Sequence, residues 1–460
     1  MYKIMKFIVI CITLMASFFA SSCKKYLEAK SDDKLVVPDN LPALQAILDN
    51  GQYMNGSSPS IGLASADDYF LTPEEYNAVS VYCREAYIWD LAGQSDYNYG
   101  FDWPDIYFLV YNANLCLDQL TKIKRTSLNA DAWDYLKGDA LFFRGLSFLE
   151  LSWLFSKAYN KETAKQDLGI VLRLGSDFNV PSKRASVEES YQRVLQDLKS
   201  SLSFMPNTVE YLTRPTKAAV YGYLSRAYLS MRLYDSALAY ANKCLQFNSK
   251  LMDFNDPNDV DMTNIYPIPD QNKEIIHINY IGLSAFSSVN NKHASVDTLL
   301  YNSYQASDLR KVVYFSPPEG NSAHFYGSYK GRSVYFTGIA TDEMYLVKAE
   351  CEARNNQVED AMNDLNKLLI KRWKTGAFKP FTASSQAEAL KLILKERRKE
   401  LVFRGLRWMD IKRLNLEGAN ISIRRQIEGK SYILSPNDNR FALPLATDLL
   451  SLTGMQQNPQ

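Results

Sequence analysis

Two stretches of this chain carry one pattern, and that pattern limits the folds open to it. In residues 216–247, Val220, Leu224, Ala227, Tyr228 and Met231 recur at helical spacing. A short turn at Leu233-Tyr234-Asp235 follows, and then Ala237, Leu238, Ala241, Cys244 and Leu245 mark a second helix. In residues 341–371, Met344, Val347 and Cys351 precede a turn at Asn355-Asn356-Gln357, and Val358, Ala361, Met362, Leu365, Leu368 and Leu369 share one face after it. A helix pair of this kind cannot bury its apolar surface alone, so the chain must stack helices.

Both stretches resemble tetratricopeptide units, in which a small residue early in the second helix (Ala237, Ala361) lets two helices pack closely. Those alanines lie 124 residues apart, so the units are not tandem and a regular solenoid is not expected. Elsewhere, Ile106, Leu109, Val110, Ala113, Leu117 and Leu120 predict a helix opening near Asp102 and Pro104, and residues 132–158 predict a long apolar one. Ser186 with Glu189 reads as a capping box, as does Ser385 with Glu388 before a last helix running towards Leu414. Residues 253–340 differ: Asn, Ser, Gly and Pro recur and only short β-like runs appear, such as Ile275–Ile278 and Ser333–Phe336. The predicted fold is mainly α, with an irregular lobe and short β segments resting on a helical scaffold.

Charge narrows the function. The chain has 52 Lys+Arg against 51 Asp+Glu, without the basic excess that nucleic-acid binding needs. At its start, Lys3 and Lys6 precede a 14-residue apolar run, Phe7–Ala20, too short to span a bilayer. It ends in Ala20-Ser21-Ser22-Cys23, which resembles a bacterial lipobox with Ala20 where Leu is commonest. Cys23 is thus the expected lipidation site, and two or more acyl chains anchor stably. Residues 1–22 read as signal peptide, 23–50 as lipid-anchored tether and 51–460 as one domain. Within it, 51–252 form an N-terminal helical half, 253–340 the irregular lobe and 341–460 a C-terminal region. Cys83, Cys116, Cys244 and Cys351 are expected buried and free, and no Cys or His spacing suits a metal.

In the C-terminal third, Tyr345–Ala353, Ala361–Asn366, Glu396–Leu401, Phe403–Arg413, Leu443-Pro444-Leu445 and Gln457-Asn458-Pro459 form an ordered set. That set resembles the SusD/RagB family, the surface glycan-binding lipoproteins of Bacteroidota. The family's helical motif commonly reads ERR-x-EL-x-FEG-x-R-x-x-D-[LI]-x-R, and Arg404 stands here where Glu is usual. Tyr26-Leu27-Glu28 after Cys23, Tyr111–Asn114 and the helix around Arg144 extend the match towards the N-terminus. The resemblance implies a single domain in which TPR-like helix pairs form a right-handed scaffold beneath a loop-rich face. It further implies an outer-membrane location facing outward and a SusC-like TonB-dependent transporter as partner, with glycan as ligand.

The motif at Glu396–Arg413 is charged, yet Glu396 with Lys399 and Glu400, and Arg407 with Asp410, stand at spacings where helix charges pair, so it reads as structural. The better binding candidate is residues 66–111, with 13 aromatics in 46 residues against 13% for the whole chain. In an extended run Tyr97, Tyr99, Phe101 and Trp103 would share one side, where rings can stack on sugar faces, although Trp103 reads as core. Trp89, Tyr97 and Tyr99 are the expected platforms, with Asp68, Arg84 and Asn98 placed to bond hydroxyls. Tyr280, Tyr301, Tyr304 and Tyr326 are added because the family uses such loops. The expectation is a non-catalytic lipoprotein, without cofactor beyond its lipid, that delivers oligo- or polysaccharide to the transporter. A TPR-like peptide binder and a surface glycoside hydrolase are the alternatives, since two carboxylates leave no short motif.

Overall fold

In a computed structural model that describes residues 38–92, 102–281 and 293–460, the helices dominate. Among those residues, the helices of eight residues or more are α1 (Leu41–Leu48), α2 (Val81–Ile88), α3 (Asp102–Leu120), α4 (Ala130–Phe155), α5 (Val187–Ser201), α6 (Lys217–Ser230), α7 (Tyr234–Phe247), α8 (Thr341–Arg354), α9 (Val358–Leu369), α10 (Gln386–Glu400) and α11 (Arg407–Asn415). Cys23 and the candidates Tyr97, Asn98 and Tyr99 lie outside the described residues.

Each helix from α3 to α7 packs on the next, and α7 packs on α8, which meets α9 and α10. The two TPR-like pairs, α6–α7 and α8–α9, are therefore neighbours in space although 93 residues lie between them. Ala237 and Ala361 are fully buried, as close packing of each pair requires. Thr341 Oγ1 approaches Asn248 O at 3.5 Å and Asn355 Nδ2 donates to Asp235 Oδ1 at 2.9 Å, which ties the second pair to the first. The repeats are distant in sequence only because the lobe is inserted between them.

Among its described residues, the lobe carries short antiparallel pairings and two short helices. Ile275–His277 pairs with Ile339–Ala340, Tyr280–Ile281 with Tyr335–Phe336, and Ser295–Val296 with Tyr69–Phe70. The C-terminal hairpin Ile423–Ile427 with Lys430–Leu434 is the longest ladder among the described residues.

Four expectations need correction. The tether reaches too far: α1 is capped by Asn40, and its Leu44 and Leu48 are in the core, so the folded body begins before residue 51. The last helix is two helices, because the chain turns sharply where Phe403 (φ 57°) and Gly405 (φ 73°) adopt left-handed backbone. Arg407 does not pair with Asp410; it grips Asp67 with two hydrogen bonds of 2.6 and 2.9 Å. Ser186–Glu189 forms the full capping box, whereas Glu388 accepts from Ser384 instead of Ser385. Cys83, Cys116, Cys244 and Cys351 are buried, and none forms a disulfide among the described residues.

The motif of α10 and α11 is a buried ionic lattice. Arg310 bonds Asp308, Glu396 and Glu400; Arg372 bonds Glu400 and Glu274; Lys399 bonds Asp308 and Glu396. Arg413 holds Glu350 and Asp410, and Arg397 holds Asp410. Desolvation by burial pushes the Glu400 and Asp410 carboxyls up, but the guanidinium groups of Arg372 and Arg310, and of Arg397 and Arg413, outweigh it and keep both below their usual range. Lys412 Nζ and Asn458 Nδ2 donate to the carbonyls of Ser156 (2.6 Å) and Phe155 (2.9 Å), closing the C-terminal end of α4. Arg144 bridges Asp197 and Asn114, so the two N-terminal stretches that carried the resemblance touch each other.

Candidate functional site

A groove of about 720 Å³ opens where α3 begins. Its walls come from residues 52–58, from the first turns of α3 and from the lobe at Tyr280, Arg332 and Val334. The wall at 52–58 is fixed to the lobe by backbone: Tyr280 N donates to Asn55 O at 2.8 Å and Ser58 N to Tyr280 O at 3.3 Å. Asn55 Nδ2 adds bonds to Thr213 O and Ile278 O, both 2.9 Å. Gly56 is required there, since a Cβ would come within 3.0 Å of the Tyr280 ring and 2.3 Å of Gln52 O. The Tyr280 hydroxyl donates to Gly51 O at 3.4 Å.

Aromatic rings line this groove. Tyr53 and Phe108 meet edge to face at 5.6 Å, yet they stay 47% and 45% exposed. Tyr111, one turn beyond Phe108 on α3, is exposed as well. Large rings left in water within one patch are unusual for a surface that binds nothing. Arg332 lies over the Tyr280 ring at 5.8 Å, and Lys330 does so at 5.5 Å while paired with Asp270. Asp105, at the groove wall, has its carboxyl pushed up by burial. Asp102 is buried and occupied, accepting from Ser60 N (2.9 Å), Ile61 N (2.7 Å) and the Ser60 hydroxyl (3.2 Å). Behind it, Glu150 accepts from the Ser58 hydroxyl at 3.2 Å, and burial pushes its carboxyl up to about 8.

Of the candidates read from sequence that are described, Tyr280 alone lines the groove. Trp89 is a core residue: it is 4% exposed, caps α2 in left-handed backbone and donates its indole N–H to Ser65 O at 3.0 Å. Its ring joins Tyr69 and Tyr87 around the Arg425 guanidinium, which donates to the carbonyls of Tyr69, Tyr87 and Ala66. Asp68 is buried against Arg398 at 3.1 Å, and Tyr304 is buried with its hydroxyl on Lys399 O at 2.7 Å. Arg84 donates to Asn77 O and Val79 O, closing the short helix Pro73–Ala78. Tyr301 and Tyr326 are half-buried away from the groove, against Phe315 and Tyr266 respectively. The described aromatics of residues 66–92 and 102–111 are thus largely core, because rings with polar tips can reach backbone carbonyls from inside.

Tyr53, Phe108 and Arg332 were missed. The signal for Phe108 was present: on α3 it lies off the stripe of Ile106, Leu109, Val110 and Ala113, so an aromatic there had to face outward. Tyr53 and Arg332 meet the groove only through tertiary folding.

Residues 25–229 match a family described as "Starch-binding associating with outer membrane", and residues 309–443 match the SusD family, SusD_RagB. The chain belongs to the SusD/RagB family. SusD-like protein P2 of Formosa agariphila is 23% identical, over 68% of this chain and 71% of that one. A SusD superfamily protein from Bacteroides thetaiotaomicron shares the fold with a TM-score of 0.74 at 21% identity, covering 92% of this chain and 100% of its own. A SusD-like carbohydrate binding protein from Bacteroides vulgatus aligns with a TM-score of 0.65 at 20% identity, over 90% and 97%. The SusD/RagB motif matched at the sequence level is the ionic lattice of α10 and α11. Its unusual Arg404 pairs with Asp342 at 3.2 Å and lies over the rings of Tyr329 and Phe336.

Proposed function

We propose that this protein is a lipid-anchored, non-catalytic glycan-binding protein whose ligand lies in the groove of Tyr53, Phe108 and Tyr280. The observation that carries the reading is the exposed pair Tyr53–Phe108 at the mouth of a groove built by three separate chain segments. Sugar C–H faces stack on such rings, while Arg332, Gln52 and Asp105 bond hydroxyls or acidic substituents. A shallow, wet site of this kind binds weakly and releases readily, which suits handover to a SusC-like TonB-dependent transporter. Family membership and the glycan-binding names of relatives support the same reading. Acylation of Cys23 provides the anchor.

Catalysis by paired carboxylates is disfavoured, because Asp102 is committed to the backbone of residues 60–61 and leaves Asp105 without a second free acid in the groove among the described residues. The test is affinity electrophoresis of the soluble form, starting after Cys23, against a polysaccharide panel. Retardation by one polysaccharide class, lost in Tyr53→Ala/Phe108→Ala with the fold intact, is the expected result. Retardation that survives both changes removes the groove, and release of reducing ends from the bound polysaccharide overturns the non-catalytic reading.

A further inference from the structure

A pocket of about 250 Å³, separate from the groove, lies where the last turn of α11 reaches the end of α4. Lys412 joins the two helices and lines the pocket. It is 5% exposed and donates to Trp153 O and, at 2.6 Å, to Ser156 O. An ammonium carries three donors, so one is left over. Burial pushes the Lys412 ammonium down to about 7, and no carboxylate opposes that loss. Arg184 stands beside it, with its guanidinium spent on the carbonyls of Phe155, Gly169 and Gln456. Two cations therefore share the end of α4, whose dipole offsets only about half a charge. The acids of the pocket are already matched: Asp167 faces Lys157 at 3.5 Å, and Asp438 faces Arg440 at 2.8 Å. The surplus at this end is positive.

We propose that this pocket is a second ligand site, which takes one sugar-acid unit with its carboxylate on Lys412 and its hydroxyls on Asn160 and Asn439. The carboxylate supplies the counter-charge that Lys412 lacks, and a charge-assisted bond is about twice as strong as one to a neutral hydroxyl. The amides are available: Asn160 Nδ2 and the Asn439 side chain spend no hydrogen bond among the described residues, while Asn160 Oδ1 accepts from Glu162 N. Phe441 and Leu416 add apolar wall for the C–H edges of a ring. The pocket is smaller than those that take drug-sized molecules, so a single ring fits and a chain does not. The bound anion holds the proton on Lys412, so binding takes up a proton and weakens as pH rises through about 7. The inference does not depend on the groove reading, and its test keeps the two apart.

Isothermal titration of the soluble protein with glucuronate, glucose and acetate is the test. Glucuronate is expected to bind at pH 6.5, with acetate weaker and glucose silent. The heat should depend on the ionisation enthalpy of the buffer, as proton uptake requires, and affinity should fall about tenfold or more by pH 8.5. Lys412→Met should abolish binding. Because that change also uncaps α4, Asn160→Ala/Asn439→Ala at the mouth is the second variant, expected to weaken binding at least about threefold at an unchanged melting temperature. Glucose binding as tightly as glucuronate, or glucuronate binding without proton uptake, overturns the role of Lys412. Acetate binding as tightly as glucuronate overturns the sugar acid as ligand, and no heat from glucuronate at pH 6.5 overturns the site. Glucuronate binding that disappears in Tyr53→Ala/Phe108→Ala belongs to the groove and removes this pocket. Binding that persists there, in a protein that no polysaccharide retards, keeps the pocket and removes the groove.

Discussion

At the scale of residues, identical side-chain types divide by what lies beneath them. Phe108 and Trp89 are both aromatic and within twenty residues of each other, yet one faces water and the other is sealed over Arg425. Phe108→Ala is expected to weaken glycan binding by at least about fivefold, the loss of roughly 1 kcal/mol of stacking, with little change in melting temperature. Trp89→Phe is expected to do the reverse, costing about 1 kcal/mol of stability through the lost bond to Ser65 O while affinity stays the same. Isothermal titration beside thermal melts reads both. Glu150 adds a pH signature. Its folded carboxyl titrates near 8 against an ordinary 4.5, so the folded state holds a proton that the unfolded chain has released. That contribution is complete below about pH 4.5 and is lost as pH rises to about 8, at up to about 1.4 kcal/mol per pH unit. Glu150→Gln should flatten this part of the stability profile, measured by denaturant melts from pH 5 to 8.

At the scale of elements, the motif helices α10 and α11 act as the fastening between scaffold and lobe. Glu400 lies on α10, and its partners Arg310 and Arg372 stand on the lobe and just beyond α9. Glu400→Ala leaves two fully buried guanidinium groups short of a partner and should cost about 3–5 kcal/mol. Hydrogen exchange is expected to rise first in residues 308–315, and equal acceleration throughout the scaffold would argue against the fastening. The helices themselves were legible in sequence: α3, α5, α7 and α9 bury stripes with a 3.6-residue period, whereas α4, α6 and α8 are buried nearly all round and show as long runs rich in apolar and small residues. The charged motif was legible as structural but not in its partners, since Arg407 reaches Asp67 across 340 positions of sequence. The break between α10 and α11 was hidden because Leu401, Val402 and Phe403 continue the apolar pattern while the backbone turns. The groove was the least legible part: its rings come from segments around 53, 108 and 280, and no local period marks their convergence.

At the scale of the whole molecule, the groove of Tyr53, Phe108 and Tyr280 and the chain entry lie towards opposite ends of α3. Glycan affinity of the vesicle-bound protein should therefore equal that of the soluble form, measured with the same oligosaccharide in both states. A marked loss on the vesicle would mean that the groove is turned towards the lipid. The lobe has a consequence of another kind. Its two ends leave and rejoin the scaffold at Asn248 and Thr341, which already touch, so the helix array is closed beneath it without needing the lobe's path. An intervening stretch with its mouth pinned shut is a replaceable cassette. Another sequence of quite different length can be spliced between those two residues at little entropic cost, provided that it brings its own counterparts of Arg310 to meet α10 and of Glu274 to meet Arg372.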